Sequence, residues 1–167
     1  MNEYFKQCHI VFFRNLKTGD HDPISGGTEV DTTITALTSG LPAGQSIVNI
    51  VPEIKTWPGE VASPDETAQL ICPAFERAFS NGFRKVIGVF ALPGGLTPAL
   101  IQEALLSLRP LDFCLGPDGG GGIWLLGMNR YDPSVIHDMP WQGRDLTKKI
   151  IRRIGDQKKI LYRLPCL

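Results

Sequence analysis

The chain has 167 residues, 43% of them hydrophobic and 20% charged, which suits one globular domain able to bury its own core. This excludes wholesale disorder, collagen and a long coiled coil, while 18 Gly and 13 Pro predict many tight turns. Basic and acidic residues balance at 17 each, so overall charge points neither to nucleic acid nor to an acidic membrane surface.

Residues 1–7 carry Glu3 and one lysine, and the apolar run behind them, residues 9–13, is too short for a secretory signal. No apolar stretch approaches the ~20 residues that span a bilayer. The four cysteines, Cys8, Cys72, Cys114 and Cys166, lie far apart in apolar settings, so they read as reduced, buried thiols. The expectation is a soluble cytoplasmic chain without a membrane partner.

In chain order, residues 10–13 predict a central strand and residues 14–27 a loop. Residues 28–38 are ambiguous: the threonines favour a strand, whereas Val30, Ile34 and Leu37 fall at helical spacing. Residues 46–51 predict a second strand and residues 53–64 a loop. Ser63-Pro64-Asp65-Glu66 is a capped helix start, with Pro at the first helical position and Glu66 reaching back to the cap. Ile71, Ala74, Phe75, Ala78 and Phe79 make its apolar stripe, Pro73 predicts a kink, and Asn81-Gly82 ends it. Residues 85–92 are nearly all apolar, the pattern of a strand buried on both faces.

Thr97-Pro98 repeats the capped start, with Ile101, Ala104, Leu105 and Leu108 facing inward. Residues 113–115 and 123–128 predict strands on either side of the four glycines 119–122. Residues 145–154 predict a basic amphipathic helix with Leu146, Ile150, Ile151 and Ile154 inward, and residues 159–164 a last strand. Alternating strands and helices predict an α/β fold with a mostly parallel sheet, in one domain over residues 1–167.

Five short motifs keep one order and spacing: Ala74-Phe75-Glu76-Arg77-Ala78-Phe79, the run 82–88, Gly95-Leu96-Thr97-Pro98, Leu115-Gly116-Pro117 with the run 121–127, and Met139-Pro140-Trp141. Over roughly half the chain this resembles a family of bacterial glycosyltransferase-like proteins with the GT-A (nucleotide-diphosphosugar transferase) fold. The resemblance implies a three-layer, Rossmann-like sheet with helices on both faces. It also implies a sugar-nucleotide pocket at the carboxyl ends of the strands, which is where an open α/β sheet takes its ligands in any case. The residues it implies for substrate binding are Lys17, Gly94, Gly95, Asp118, Gly119, Gly120, Gly121 and Trp141, with Trp141 on the rim of the cleft.

Chemistry in such folds uses a divalent cation held by carboxylates, and here the sequence departs from the pattern. The family's Asp after the strand 85–92 falls at Phe90 or Ala91, and the Asp of its D-G-G motif falls at Gly120, with Asp118 two residues earlier. Of its basic loop after the first strand only Lys17-Thr18 remains, and its final acidic segment has no counterpart before Leu167. Loss of these carboxylates predicts poor Mg²⁺ or Mn²⁺ affinity, so no metal cofactor and no metal ligand are expected and the catalytic residues stay unassigned. The expectation is a degenerate relative that retains sugar-nucleotide binding. The alternative is a non-catalytic interaction or scaffold protein, dimeric through an open sheet edge.

Other features have plainer readings. Asp20-His21-Asp22 is a turn before Pro23 rather than a relocated cation site. Residues 119–122 are either a flexible hinge or a cradle whose bare amides meet phosphate. His9 and His137 lack partners at metal spacing. Residues 144–163 hold eight basic residues against two acidic ones, a stripe that reads as a solvated helix face. Without interleaved aromatics it does not make nucleic acid an expected partner.

Overall fold

The apolar run at residues 8–13 forms β1 (Cys8–Phe13), and every residue of it is buried. The computed structural model describes the backbone of residues 8–13, 24, 28–41, 46–51 and 64–167, and the side chains of 8–13, 24, 31–41 and 67–167. Strand periodicity divides β1 between two cores: Val11 and Phe13 on one face, Cys8, Ile10 and Phe12 on the other.

β2 (Ser46–Val51) and β3 (Lys85–Val89) flank β1, both parallel to it. β5 (Ile123–Met128) runs antiparallel between β3 and β4 (Phe113–Pro117), and β6 (Leu161–Arg163) pairs in parallel with β4. The order is β2-β1-β3-β5-β4-β6, so only β5 opposes the others and the expected mostly parallel sheet is present. α2 (Pro64–Ser80), α4 (Pro133–Ile136) and α5 (Leu146–Asp156) cover the Phe13 face. α1 (Thr28–Thr38) and α3 (Pro98–Ser107) cover the Phe12 face, which completes three layers. No helix among the described residues is long and apolar enough to cross a membrane.

Local chemistry explains most element boundaries. Residues 28–38, ambiguous from threonine content, are helical. The Thr35 and Thr38 hydroxyls donate to the carbonyls of Asp31 and Ile34, both at 2.8 Å, so they find partners inside the helix. The Thr97 hydroxyl accepts from the Leu100 amide at 3.3 Å and starts α3 as expected. α2 continues through Pro73, and its Ser63–Glu66 start lies outside the described side chains. It ends with the Phe83 amide on the Ala78 carbonyl (3.2 Å) and the Gly82 amide on that of Phe79 (3.0 Å), with Gly82 at φ +92°. This is a Schellman closure, which needs a residue free to adopt positive φ. The strand expected over 85–92 ends at Val89, although the Phe90 amide still donates to the Trp124 carbonyl at 2.9 Å. The basic helix lies one to two residues later than expected, and the last strand is confined to Leu161–Arg163.

Cys8 and Cys114 are buried thiols as expected, and burial pushes Cys114 up to about 12. Cys72 is half-buried and Cys166 is exposed, which corrects the expectation that all four are buried.

Gly88 stands where α2 presses on the sheet. A Cβ there would lie 2.9 Å from the Phe13 ring and 3.1 Å from that of Phe75. Gly88→Ala is therefore expected to cost about 1–3 kcal/mol by overpacking, read from urea denaturation.

His9 is 9% exposed, packs against Phe83 with ring centroids 4.7 Å apart and planes tilted by 46°, and its Nδ1 has no hydrogen-bond partner among the described residues. Burial lowers its pKa below the ordinary imidazole value of 6.5. The unfolded chain then takes up the proton first as pH falls, so this part of the stability is complete above about pH 6.5 and is lost below it. Thermal melts should fall between pH 7.5 and 5.5, and fall less in His9→Phe. Equal slopes would contradict this account.

Candidate functional site

From β1 the chain winds through α1 to β2 on one side, then returns through α2 to β3 on the other. The winding reverses between β1 and β3, and open α/β sheets take ligands outside the carboxyl ends of the strands at such a point. The floor beneath that point is aromatic. Phe13 and Phe90 stack with centroids 5.0 Å apart and planes 8° apart, Phe75 lies 6.4 Å beyond Phe13, and Trp141 lies 5.8 Å beyond Phe90. Trp141 is 1% exposed, so it belongs to this floor and not to a rim, which corrects the expectation from its resemblance. Its Nε1 is buried without a partner among the described residues.

The positions that matter for a cation are part of the same packing. Phe90 is 0% and Ala91 3% exposed, and they belong to the two opposite cores. Neither offers an oxygen beyond its main chain, whereas Mg²⁺ or Ca²⁺ takes six or more oxygen ligands. The described residues at this edge thus do not fit a divalent cation, and no group of three or more His, Cys, Asp or Glu among them is placed to hold one. Lys17 and Asp20-His21-Asp22 lie outside the described residues.

Two turns flank the floor. The Leu96 amide donates to the Pro93 carbonyl at 2.9 Å, which closes the turn carrying Gly94 and Gly95. The second turn joins β4 to β5, where the register shifts at Gly116 and Pro117. Since the Phe90 amide bonds to the Trp124 carbonyl and Pro117 registers with Ile123, both turns emerge at one edge, as the strand pattern predicts.

In the second turn, Asp118 takes two of the four glycine amides. Asp118 Oδ1 accepts from the Gly120 amide at 2.7 Å and the Gly122 amide at 2.8 Å, and the Asp118 amide donates to the Gly122 carbonyl at 3.0 Å. Asp118 is 8% exposed and is committed to folding the turn. α5 then locks it from outside: the Thr147 amide donates to the Gly121 carbonyl at 2.9 Å, and the Thr147 hydroxyl donates to the Gly122 carbonyl at 2.6 Å. Gly121 has φ +87°, and a Cβ there would stand 1.6 Å from the Arg144 carbonyl oxygen. At Gly94 and Gly119 a Cβ would meet nothing within 4 Å. They mark the open backbone of the edge.

Several structural residues had no part in the sequence reading. Thr147 carried no motif. α4 did have a signal, because Asp132-Pro133 repeats the cap-and-proline start: Asp132 Oδ1 accepts from the Ser134 amide at 3.1 Å. Lys159 Nζ lies 2.6 Å from Asp132 Oδ2. Burial would raise the Asp132 carboxyl, but the hydrogen bonds from Lys159 and Ser134 outweigh it and hold it low. Arg153 donates to the carbonyls of His137 and Asp138, the second at 3.1 Å. Three of the eight basic residues are thereby engaged locally, counting Lys149 paired to Asp145 at 3.4 Å, while Arg144, Lys148, Arg152, Lys158 and Arg163 are exposed.

Asp118→Ala should cost about 2–4 kcal/mol in urea denaturation, since two amides lose one acceptor. Gly121→Ala should cost as much or prevent folding, because the new methyl group meets backbone that cannot yield. A fully stable Asp118→Ala would show that the turn holds itself without the carboxylate.

The model of a family described as "Uncharacterized protein conserved in bacteria (DUF2064)" matches residues 65–143, from α2 to just past Trp141. No functionally curated protein matches the chain. Among solved structures, a candidate nucleotide-diphospho-sugar transferase from Desulfovibrio desulfuricans G20 superposes with a TM-score of 0.69 at 18% identity, covering 96% of this chain and 80% of that one. At that identity the likeness establishes the architecture alone: this chain shares the fold of that structure.

Proposed function

We propose that the chain binds a sugar nucleotide at the carboxyl edge of β1, β3 and β4, and that it does so without metal-dependent glycosyl transfer. The observation that carries this reading is the aromatic floor. The switch point of a nucleotide-sugar fold is kept, but Phe90 and Ala91 fill with packed apolar groups the place where cation-holding carboxylates are expected.

Without a cation, a diphosphate must find its positive charge in the protein. The amino end of α5 faces the glycine turn through Thr147 and carries a partial positive charge from its aligned peptides. Arg144, whose carbonyl lies against Gly121, and Lys148 in the first turns of α5 add formal charge on the same side. Asp118 would repel a diphosphate if it faced the crevice. With its Oδ1 turned onto two turn amides, that repulsion is reduced. The open backbone at Gly94 and Gly119 allows close approach. On this reading the chain works in the cytoplasm as a degenerate relative of the transferases.

The test is calorimetric titration with UDP- and GDP-sugars, with and without Mn²⁺. Binding is expected to be weak, in the range of about 0.1–1 mM, and to change less than about threefold on adding the metal. A tenfold gain with Mn²⁺, or sugar transfer that depends on it, would overturn the metal-free reading. Absence of any binding would favour an interaction protein that kept the fold and lost the ligand.

A further inference from the structure

After β6 the chain does not leave the sheet. The Leu164 amide donates to the Leu115 carbonyl at 2.9 Å, and the Leu167 amide to the Pro117 carbonyl at 3.3 Å. Between them the Pro165 carbonyl accepts from Trp124 Nε1 at 3.4 Å. The side chain of Leu167 then crosses to the other turn, where its Cδ2 lies 3.2 Å from the place a Cβ on Gly95 would take. One residue therefore ties the two turns together, by its backbone to the β4 end and by its side chain to the Gly94-Gly95 turn.

The strength of this attachment falls along the segment. Leu164 is 3% exposed and holds a hydrogen bond of ordinary length. Beyond it both hydrogen bonds lie at the long end of the range, Pro165 and Cys166 are exposed, and Leu167 is only half-buried. Segments with few buried contacts and long hydrogen bonds open at the lowest cost.

We propose that residues 165–167 form a strap across the crevice, anchored at Leu164 and displaced when a ligand enters between the two turns. The proposal rests on the sugar-nucleotide reading of the same edge. The contact of Leu167 with Gly95 and its bond to Pro117 then compete directly with the ligand, and this competition is one physical source of weak binding.

Cys166 supplies a reporter inside the strap. It is the exposed thiol, while Cys8 and Cys114 are buried and Cys72 is half-buried with its pKa pushed up to about 11. A fluorophore placed on Cys166 should lose anisotropy when UDP-glucose or GDP-glucose saturates the otherwise unaltered chain. In parallel, Leu167→Ala should bind the same nucleotides roughly fivefold more tightly, the factor given by about half of a leucine's transfer free energy. Its fold is checked by melting, and the anisotropy measurement needs no substitution at Leu167. Equal affinities with an unmoved label would overturn the strap and leave the sugar-nucleotide reading in place. Weaker binding by Leu167→Ala would make Leu167 a ligand contact and also overturn the strap. If neither form binds a nucleotide sugar, both readings fall together.

Discussion

The stacking of Phe13 on Phe90 sets what the rest of the molecule can do. These two rings close the carboxyl ends of the neighbouring parallel strands β1 and β3, 5.0 Å apart and nearly coplanar in tilt. Each phenylalanine buried there contributes about 1.5–3 kcal/mol, and aromatic pairing adds about 0.5–1.5 kcal/mol more. Gly88 leaves the room that lets Phe13 and Phe75 press onto the sheet, and Trp141 extends the row at its other end. A carboxylate at position 90 would have to be desolvated within this row, at a cost that exceeds any gain from packing. The packing of this row thus favours an apolar residue over a carboxylate at position 90.

The glycine turn shows the same exchange with polar groups. Asp118 has the charge and position of a site residue, and the turn geometry employs it as a structural one. A buried carboxylate that accepts two amide hydrogens satisfies donors that would otherwise face a crowded turn. Thr147 and the Arg144 carbonyl fix the outer side, so the loop is rigid despite four successive glycines. Glycine here serves close approach of backbone to backbone at 121, which is a packing demand rather than a sign of flexibility.

How much of this is legible in the sequence follows from the range of the interactions. β5, the cap of α3, the apolar stripe of α2 and the layer order depend on periodicity and on caps a few residues long, so residues 97–108 and 123–128 read correctly from local pattern. Residues 28–38 defeat that approach, because threonine's strand preference is answered inside the helix by hydroxyl bonds to Asp31 and Ile34. The site is less legible than the fold. Gly94, Gly95, Asp118 and the glycines after it are correctly brought to one edge. The turn bonds of Asp118 are local, to amides two and four residues on, whereas the burial of Trp141 is set by a ring contact that no spacing encodes. Thr147 meets Gly122 from 25 residues away, and Trp141 meets Phe90 across the core.

The basic stripe between residues 144 and 163 makes the same point about charge. Counted along the chain it looks like a docking surface, but charge counts only where it is free to meet a partner. Arg153 is held by carbonyls of the segment after α4, and Lys159 by a carboxylate that itself caps α4. These bonds fasten residues 132–138 onto α5, and α5 in turn fastens the glycine turn through Thr147. Part of this charge is thus engaged in holding the segment around α4, while Arg144, Lys148, Arg152, Lys158 and Arg163 are exposed. On the sugar-nucleotide reading proposed above, an apolar floor beside the amino end of α5 suits an anion that brings its own bulk to bury over a small, strongly hydrated one.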